Sequence, residues 1–426
     1  MPVCERCKKV FKQKAHLQVH MARKKPCLEV SPVVEDLTKK TVEELIALCK
    51  ERGVKGYSGK RKEVILGLLG SAEEVKAPAQ APAPAKYKVL SLFSGMGGMD
   101  VGFAEQVVVH KNSVQLDYIR SENVVPGFVN LKRLPFETVF QNDILPEAKR
   151  ICELNGWTSS YQLKDIRDLL KDNFAFPQAD VITGGFPCQD FSHAGKRLGF
   201  DSNRGNLYQS FVELVRRVKP IMFVAENVNG LLTMPGDPIK KIVEDFSVGY
   251  DVKYQLIKCE EFGIPQTRWR VIIMGLRLDK KGSLGDDWNV INENRRTCHI
   301  GHYFRHLAEP EDSEDPAQQV YSKAALLAKG QGQKEVGMNE FGPTMRAEHH
   351  GNIEFRRLTG GKNEPGPQRR LTVREAALIQ TFPPQCILTD VKKSSKAYKP
   401  IGNAVPPLLG YLIARKVQQI LEALNA

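Results

Sequence analysis

Five short apolar runs separated by stretches of helix length limit what this chain can fold into more than any other feature. They are Tyr87–Phe93, Thr138–Gln141, Ala179–Thr183, Ile221–Ala225 and Val271–Met274. Between them, Pro146–Leu154, Ile166–Asp172 and Leu207–Val218 carry apolar residues at helical spacing. Strands alternating with helices predict an α/β fold, a doubly wound and mostly parallel sheet with helices on both faces. In such a sheet ligands bind beyond the carboxyl ends of the strands. The pattern is lost from Leu276 to Gln368, a polar and glycine-rich stretch, and helical spacing returns at Thr372–Gln380 and Pro406–Leu424.

A Pro/Ala segment, Ala77-Pro-Ala-Gln-Ala-Pro-Ala-Pro-Ala-Lys86, breaks the composition and reads as an extended spacer, so the main boundary falls at a linker over residues 71–86. Upstream, residues 1–86 hold 18 Lys and Arg against 10 Asp and Glu, a large part of the formal net charge of +13. That excess predicts a polyanionic partner. No run reaches the roughly 18–20 apolar residues of a membrane span, so no membrane is expected. The first residues lack the apolar core of a secretory signal, so an intracellular, soluble protein is expected. Nine cysteines, an odd number scattered along a long chain, do not form a disulfide framework and read as thiols or ligands.

Chemistry-bearing residues fall at the strand ends. Phe93-Ser-Gly-Met-Gly-Gly98 follows the first run; its glycines let a ligand approach the backbone, although a plain strand-to-helix turn has the same composition. A ribose-binding acid is wanted near another strand end, and Asp117 and Asp143 both qualify, Asp143 ending the better strand. Gly184-Gly-Phe-Pro-Cys188-Gln189 ends the third run. Its polar neighbours and paired glycines suit an exposed nucleophile better than a buried structural thiol. Glu226 ends the fourth run, and Gln266-Thr-Arg-Trp-Arg270 opens the fifth, where alternation puts Arg268 and Arg270 on one face, a pair suited to phosphate or carboxylate.

Taken in order, Phe93-Ser-Gly-Met-Gly-Gly98, Pro187-Cys-Gln189, Glu226-Asn-Val228, Gln266-Thr-Arg-Trp-Arg270 and Gly402-Asn-Ala-Val-Pro-Pro407 resemble the DNA (cytosine-5)-methyltransferase family over about residues 87–426. The resemblance implies the Rossmann-like fold of S-adenosylmethionine-dependent methyltransferases and transfer of a methyl group to carbon 5 of cytosine in double-stranded DNA, the base flipped out of the helix. It implies Cys188 as nucleophile on carbon 6, Glu226 at ring nitrogen N3, Arg270 on the base, Arg268 on nearby phosphate and Gln189 in a loop closing on DNA. For the cofactor it implies Phe93, Gly95, Met96 and Gly97 around the methionine part, Asp143 on the ribose, Ile144 against adenine, and Asp165 with Ile166 at the adenine edge. Pro187, Leu207, Asn403 and Val405 complete that pocket. Residues 87–275 then form the catalytic and cofactor-binding part, 276–368 the target-recognition region and 369–426 a return to the catalytic domain. The segment Glu105–Pro135 is longer than this family usually has.

Two attachments precede that domain. Within residues 1–30, Cys4, Cys7, His20 and Cys27 have spacing similar to a zinc finger, with Phe11 and Leu17 at its core positions, implying a structural Zn2+. Residues 35–70 resemble a SAP-like helical DNA-binding module, with Thr41-Val-Glu-Glu44 as a capping box. Together they suggest a eukaryote or a large DNA virus, hence nucleus or cytoplasm. The enzyme is expected to act as a monomer, with a restriction endonuclease as a partner in the same system. Two other readings stay open: methylation of cytosine in RNA, and a DNA-binding scaffold that has lost activity.

Overall fold

The computed structural model describes residues 41–51, 62, 86–158, 160–187, 207–280, 284–285, 289, 291, 293–322, 335–347, 356–357, 369–388 and 394–425. The chain divides into two units, Met1–Ala83 and Pro84–Ala426. In the first, Thr41 precedes helix α1 (Val42–Glu51). Its backbone N–H donates to Glu44 Oε2 at 2.7 Å, and its hydroxyl accepts from the Glu44 N–H at 3.3 Å. That reciprocal pair satisfies donors the first helical turn cannot satisfy itself. The expected zinc ligands Cys4, Cys7, His20 and Cys27 lie outside the described residues, as does nearly all of the second SAP-like helix.

The second unit begins with β1 (Tyr87–Leu92) and continues through β2 (Val108–His110), β3 (Ile119–Glu122), β4 (Phe128–Leu131) and β5 (Phe136–Asp143). After these come β6 (Tyr161–Leu163), β7 (Val181–Gly184), β8 (Met222–Val228), β9 (Tyr250–Lys258) and β10 (Trp269–Arg277). Seven of them form one sheet in the order β6-β5-β1-β7-β8-β10-β9. The β6-β5-β1-β7-β8 pairings are parallel, and β10 runs antiparallel to both neighbours. Period-two alternation divides its side chains between two cores. Val89, Val181, Val224 and Met274 face one, and Leu90, Ile182, Phe223 and Ile273 the other.

Helices cover both faces. They are α2 (Gly98–Ala104), α3 (Pro146–Asn155), α4 (Ile166–Lys171), α5 (Leu207–Val218) and α6 (Pro238–Ser247), followed by the short α7 (Ile300–Phe304). The carboxyl-terminal return supplies α8 (Val373–Ile379), α9 (Ser394–Asn403) and α10 (Pro407–Asn425). The path of this return depends on missing side chains. A Cβ on Gly98 would stand 1.9 Å from the Val405 carbonyl oxygen, and one on Gly102 would stand 2.4 Å from backbone atoms of Gly410 and Tyr411. Helices α2 and α10 therefore touch backbone to backbone, and residues 402–405 pass beside the glycine loop.

The long segment after α2 has its own structure, an antiparallel sheet β2-β4-β3. It docks through Ser113 Oγ, 2.8 Å from Tyr303 Oη, and through Tyr118, whose ring lies 4.0 Å from the Arg415 guanidinium. Within 276–368, where no periodicity was legible, Ile291, Ile300, Tyr303 and Phe304 nevertheless enter the core. Among the described residues no helix is long and apolar enough to cross a membrane, and no three His, Cys, Asp or Glu groups could hold a metal ion together.

Candidate active site

At the carboxyl rim of the sheet a cavity of about 1460 Å3 opens along β5, β1, β7, β8 and β10. Its first wall is the turn between β1 and α2. Phe93 and Gly95 adopt positive φ of 51° and 53°, and Gly97, at 79°, is the residue before α2. Phe93 and Gly95 line the cavity; a Cβ on Gly95 would meet nothing within 4 Å, so the backbone there is open to a ligand. Met96 is fully buried in the core and does not line the cavity, and Gly97 stands behind it, near Cys152 Sγ. These two expected contacts therefore shape the turn rather than its open surface.

Asp143 ends β5 and faces the turn. Its Oδ2 accepts the Gly95 N–H at 2.9 Å, and its Oδ1 accepts the N–H groups of Ile144 and Leu145 at 2.7 and 3.0 Å. Burial raises its pKa, opposed by those three bonds. Asp117 sits in a 3-10 turn of the inserted sheet and does not line the cavity, whereas Asp143 does. Ile144 keeps 64% of its surface exposed beside Asp143, an apolar face for an aromatic ring. Asp165 and Ile166 line the next part of the wall. The Asp165 carboxylate accepts from the Arg167 backbone N–H at 2.9 Å as the cap of α4 and holds the Arg167 guanidinium at 2.6 Å, which lowers its pKa. Pro187, Leu207, Asn403 and Val405 close this half.

Across the cavity, Glu226 on β8 and Arg270 on β10 form an ion pair, Arg270 Nε to Glu226 Oε1 at 2.6 Å, with both side chains nearly buried. The strands are antiparallel there, and the side chains share one face. Glu226 Oε2 is left beside Gly185, where a Cβ would stand 3.0 Å from it. Arg270 Nη1 also donates to the Trp269 carbonyl at 2.8 Å. Asn227, which sequence reasoning left without a role, donates from Nδ2 to the Phe186 carbonyl at 3.2 Å and so fastens β8 to the end of β7. Cys188 and Gln189 lie outside the described residues, which reach Pro187 on the cavity wall.

Arg268 is placed differently from the expectation that it shares a phosphate-facing surface with Arg270. Only 2% of it is exposed, and its guanidinium donates to three carbonyls, those of Met345 at 2.8 Å, Gly402 at 3.3 Å and Ala404 at 3.0 Å. The physical reason is that residues 342–347 and the return 402–404 lie against this segment, so Arg268 is buried under chain that Arg270 escapes. Burial, then the neighbouring Arg270 charge, make its cation costly, and the three carbonyls offset that cost. Gln266 acts similarly, bonding Gln380 Oε1 at 2.7 Å and the Met345 N–H at 3.0 Å.

A glycine turn, an acid on the neighbouring strand and a buried Glu–Arg pair share this cavity, and the stretch that carries them matches a family model. The model described as C-5 cytosine-specific DNA methylase matches residues 87–419. The chain belongs to the C-5 cytosine-specific DNA methylases. Among curated relatives, the Type II methyltransferase M.BspRI of Lysinibacillus sphaericus is 32% identical, the match covering 78% of this chain and 82% of that protein. The Type II methyltransferase M.BsuRI of Bacillus subtilis is 30% identical over 78% and 79% of the two chains. Solved structures share the fold: the S. pombe Dnmt2 methyltransferase (TM-score 0.54, 18% identity, 80% of this chain and 100% of that one) and the Entamoeba histolytica methyltransferase EhMeth (0.54, 16%, 79% and 99%).

This methylase is thus a sequence-specific DNA (cytosine-5)-methyltransferase, and S-adenosylmethionine is the methyl donor of its family. The wall described above fits that molecule: an open glycine turn, an acid and an exposed isoleucine follow one another along the rim. The amino-terminal modules gain no such support. Residues 36–65, within the segment that resembles a SAP-like module, match the model of the Rho termination factor N-terminal domain instead. The relatives named above, from Lysinibacillus and Bacillus, lend nothing to a eukaryotic or viral source.

Proposed function

We propose that Cys188 is the nucleophile of this methylase and that Glu226 and Arg270 manage the charge its attack creates. The observation that carries this reading is the nearly buried Glu226–Arg270 pair on the wall that ends at Pro187, one residue before Cys188. The Cys188 thiolate adds to carbon 6 of the flipped cytosine, forming a C–S bond and moving the electron pair of the 5,6 double bond toward carbon 5. Glu226 Oε2, the oxygen not engaged by Arg270, shares a proton with N3 and relieves the negative charge that spreads into the ring. Arg270, held by Glu226 and by the Trp269 carbonyl, orients the base. Bound in the cavity, S-adenosylmethionine would supply the electrophilic methyl group that carbon 5 takes, its S–CH3 bond breaking with the electron pair left on sulfur in S-adenosylhomocysteine. A base then removes the carbon 5 proton, the C–S bond breaks and the thiolate leaves with its electron pair.

Phe93, Gly95, Asp143, Ile144, Asp165, Ile166, Pro187, Leu207, Asn403 and Val405 hold the donor in this reading, and Arg268 acts through the chain it ties down. Residues 276–368 recognise the target sequence, between a catalytic part over 87–275 and a return over 369–426. The amino-terminal attachments add affinity for DNA, with zinc at Cys4, Cys7, His20 and Cys27. The relatives favour the cytoplasm of a bacterial cell and a restriction endonuclease as partner.

Expression in a host without cytosine methylation, followed by single-base mapping of 5-methylcytosine, tests the reading. Methylation in one short sequence context is expected. A duplex with 5-fluorocytosine at that position should trap a covalent adduct, because the fluorine cannot leave as the proton does. Normal methylation by Cys188→Ala would overturn the nucleophile assignment. Metal analysis of the full chain that finds no zinc would remove the finger.

A further inference from the structure

Two residues that line the cavity, Trp269 and Glu260, and Lys258 beside them have side chains with no part in this chemistry. Trp269 is the first residue of β10, next to Arg270, and lines the same cavity as Glu226 and Arg270. Its ring keeps 40% of its surface exposed, an unfavourable place for a large aromatic side chain unless something covers it. The ring is nevertheless held in place. Its Nε1–H donates to Glu260 Oε1 at 2.7 Å, and the Lys258 ammonium, on the residue paired with Trp269 across β9 and β10, lies 4.8 Å from the ring centre. Glu260 also lines the cavity, and its Oε2 is buried without a hydrogen-bond partner.

The plain alternative is a cross-strand Trp–Lys pair that decorates the sheet edge. Position argues against it. Trp269 and Glu260 both line the cavity that holds Glu226 and Arg270, and the Trp269 backbone carbonyl accepts from Arg270 Nη1. The Lys258 ammonium lies over one face of the fixed ring, and an indole with its other face available and a cation close by is the chemistry that takes a nucleotide, the ring stacking on the base and the cation meeting phosphate.

We propose that Trp269, oriented by Glu260 and accompanied by Lys258, is a positioning residue that stacks on a DNA nucleotide flanking the displaced cytosine. Flipping deprives the neighbouring base of a stacking partner, and an indole at the mouth replaces it. Glu260 fixes the plane of the ring. Lys258 takes a phosphate of the same strand. The proposal rests on DNA as the substrate of this site.

The test uses the full chain with Trp269→Ala, Trp269→Phe and Lys258→Ala, and an unmethylated duplex containing the mapped recognition sequence. Trp269→Ala should weaken duplex affinity by about ten- to a hundredfold, the change falling on KM for the duplex rather than on kcat, with cofactor affinity unaltered. Trp269→Phe, which keeps a stacking ring, should restore most of that loss. Lys258→Ala should reduce the slope of log affinity against log salt by about one. Intrinsic fluorescence should fall when wild type binds the duplex and should not fall in Trp269→Phe. Unchanged duplex affinity in Trp269→Ala overturns the proposal. So does equal loss in the alanine and phenylalanine variants, or a parallel loss of cofactor affinity, since either marks a structural role. Adduct formation with the 5-fluorocytosine duplex in wild type separates failure of the platform from failure of the underlying reaction.

Discussion

The two halves of the cavity are built on different terms. On the β5–β1 side the backbone does the holding: three N–H groups fix Asp143, and the turn that faces it is shaped by positive φ angles and an absent Cβ. On the β8–β10 side charged side chains hold each other, with Glu226 and Arg270 paired at 2.6 Å. A site made from the course of the chain resists conservative substitution, because the fold itself would have to move. A site made from a side-chain pair can lose its chemistry while the fold persists.

That difference predicts opposite phenotypes, and a crossed pair of variants is the sharpest way to break it. Glu226→Ala should lower kcat by about a hundred- to ten-thousandfold while leaving the donor's dissociation constant close to wild type in calorimetry. Donor binding lost together with kcat would show that the halves are coupled. Arg268→Met comes next. It removes the side-chain donor of the Met345 and Gly402 carbonyls, while the Ala404 carbonyl keeps Gln380 Nε2 at 3.0 Å, and should cost about 3 kcal/mol of stability in chemical denaturation. Because residues 402–405 pass beside the glycine turn, donor binding should weaken more than DNA binding. The reverse order would return Arg268 to the phosphate-facing role that its spacing suggested. Asp143→Ala should weaken donor affinity by roughly tenfold to a hundredfold, with kcat at saturating donor little changed.

Arg268 also shows where sequence reasoning ended. Alternation puts positions 268 and 270 on one face, but strand β10 begins only at Trp269, and the covering of Arg268 depends on residues 342–347 and 402–404, far along the chain. The parallel strands and the glycine turn were legible because both are local: a short apolar run, then glycines that allow positive φ. Strand β9 was not, since Tyr250-Asp-Val-Lys-Tyr-Gln-Leu-Ile-Lys258 mixes polar with apolar residues, as suits a half-exposed strand at the sheet edge. Helix α6 was missed too, although Asp237 before Pro238 and the buried Ile239, Ile242 and Phe246 at helical spacing are signals that could have found it. The segment after α2 was seen to be long, yet its three short strands gave too little pattern to announce a separate sheet. Of the two acids the sequence offers, Asp143 lines the cavity and Asp117 does not, because a residue ending a central strand reaches the rim, whereas one in an inserted turn does not.

The smallest expected effect concerns a group beneath the backbone-built half. Ser91, Gln141 and Thr183 lie side by side on β1, β5 and β7, and Asp100 of α2 meets this row with Ser91 Oγ 3.1 Å from its Oδ2. Burial raises the Asp100 pKa to about 7, against its hydrogen bonds, with nearby Glu105 adding to the rise. The folded protein therefore keeps a proton that the unfolded chain releases near pH 4. A raised acid of this kind stabilises least at high pH: the folded state loses stability as pH climbs toward and through about 7. Between pH 6 and pH 8 the loss from this group should be about 1.4 kcal/mol. Asp100→Asn cannot release a proton, so its unfolding free energy relative to wild type should rise by that amount over the same interval, all other ionisable groups cancelling in the difference. Denaturation at pH 6 and pH 8 reads it directly. A difference that does not change with pH would mean that Asp100 is already charged in the folded protein, and the turn above it would then rest on a buried carboxylate rather than on neutral groups.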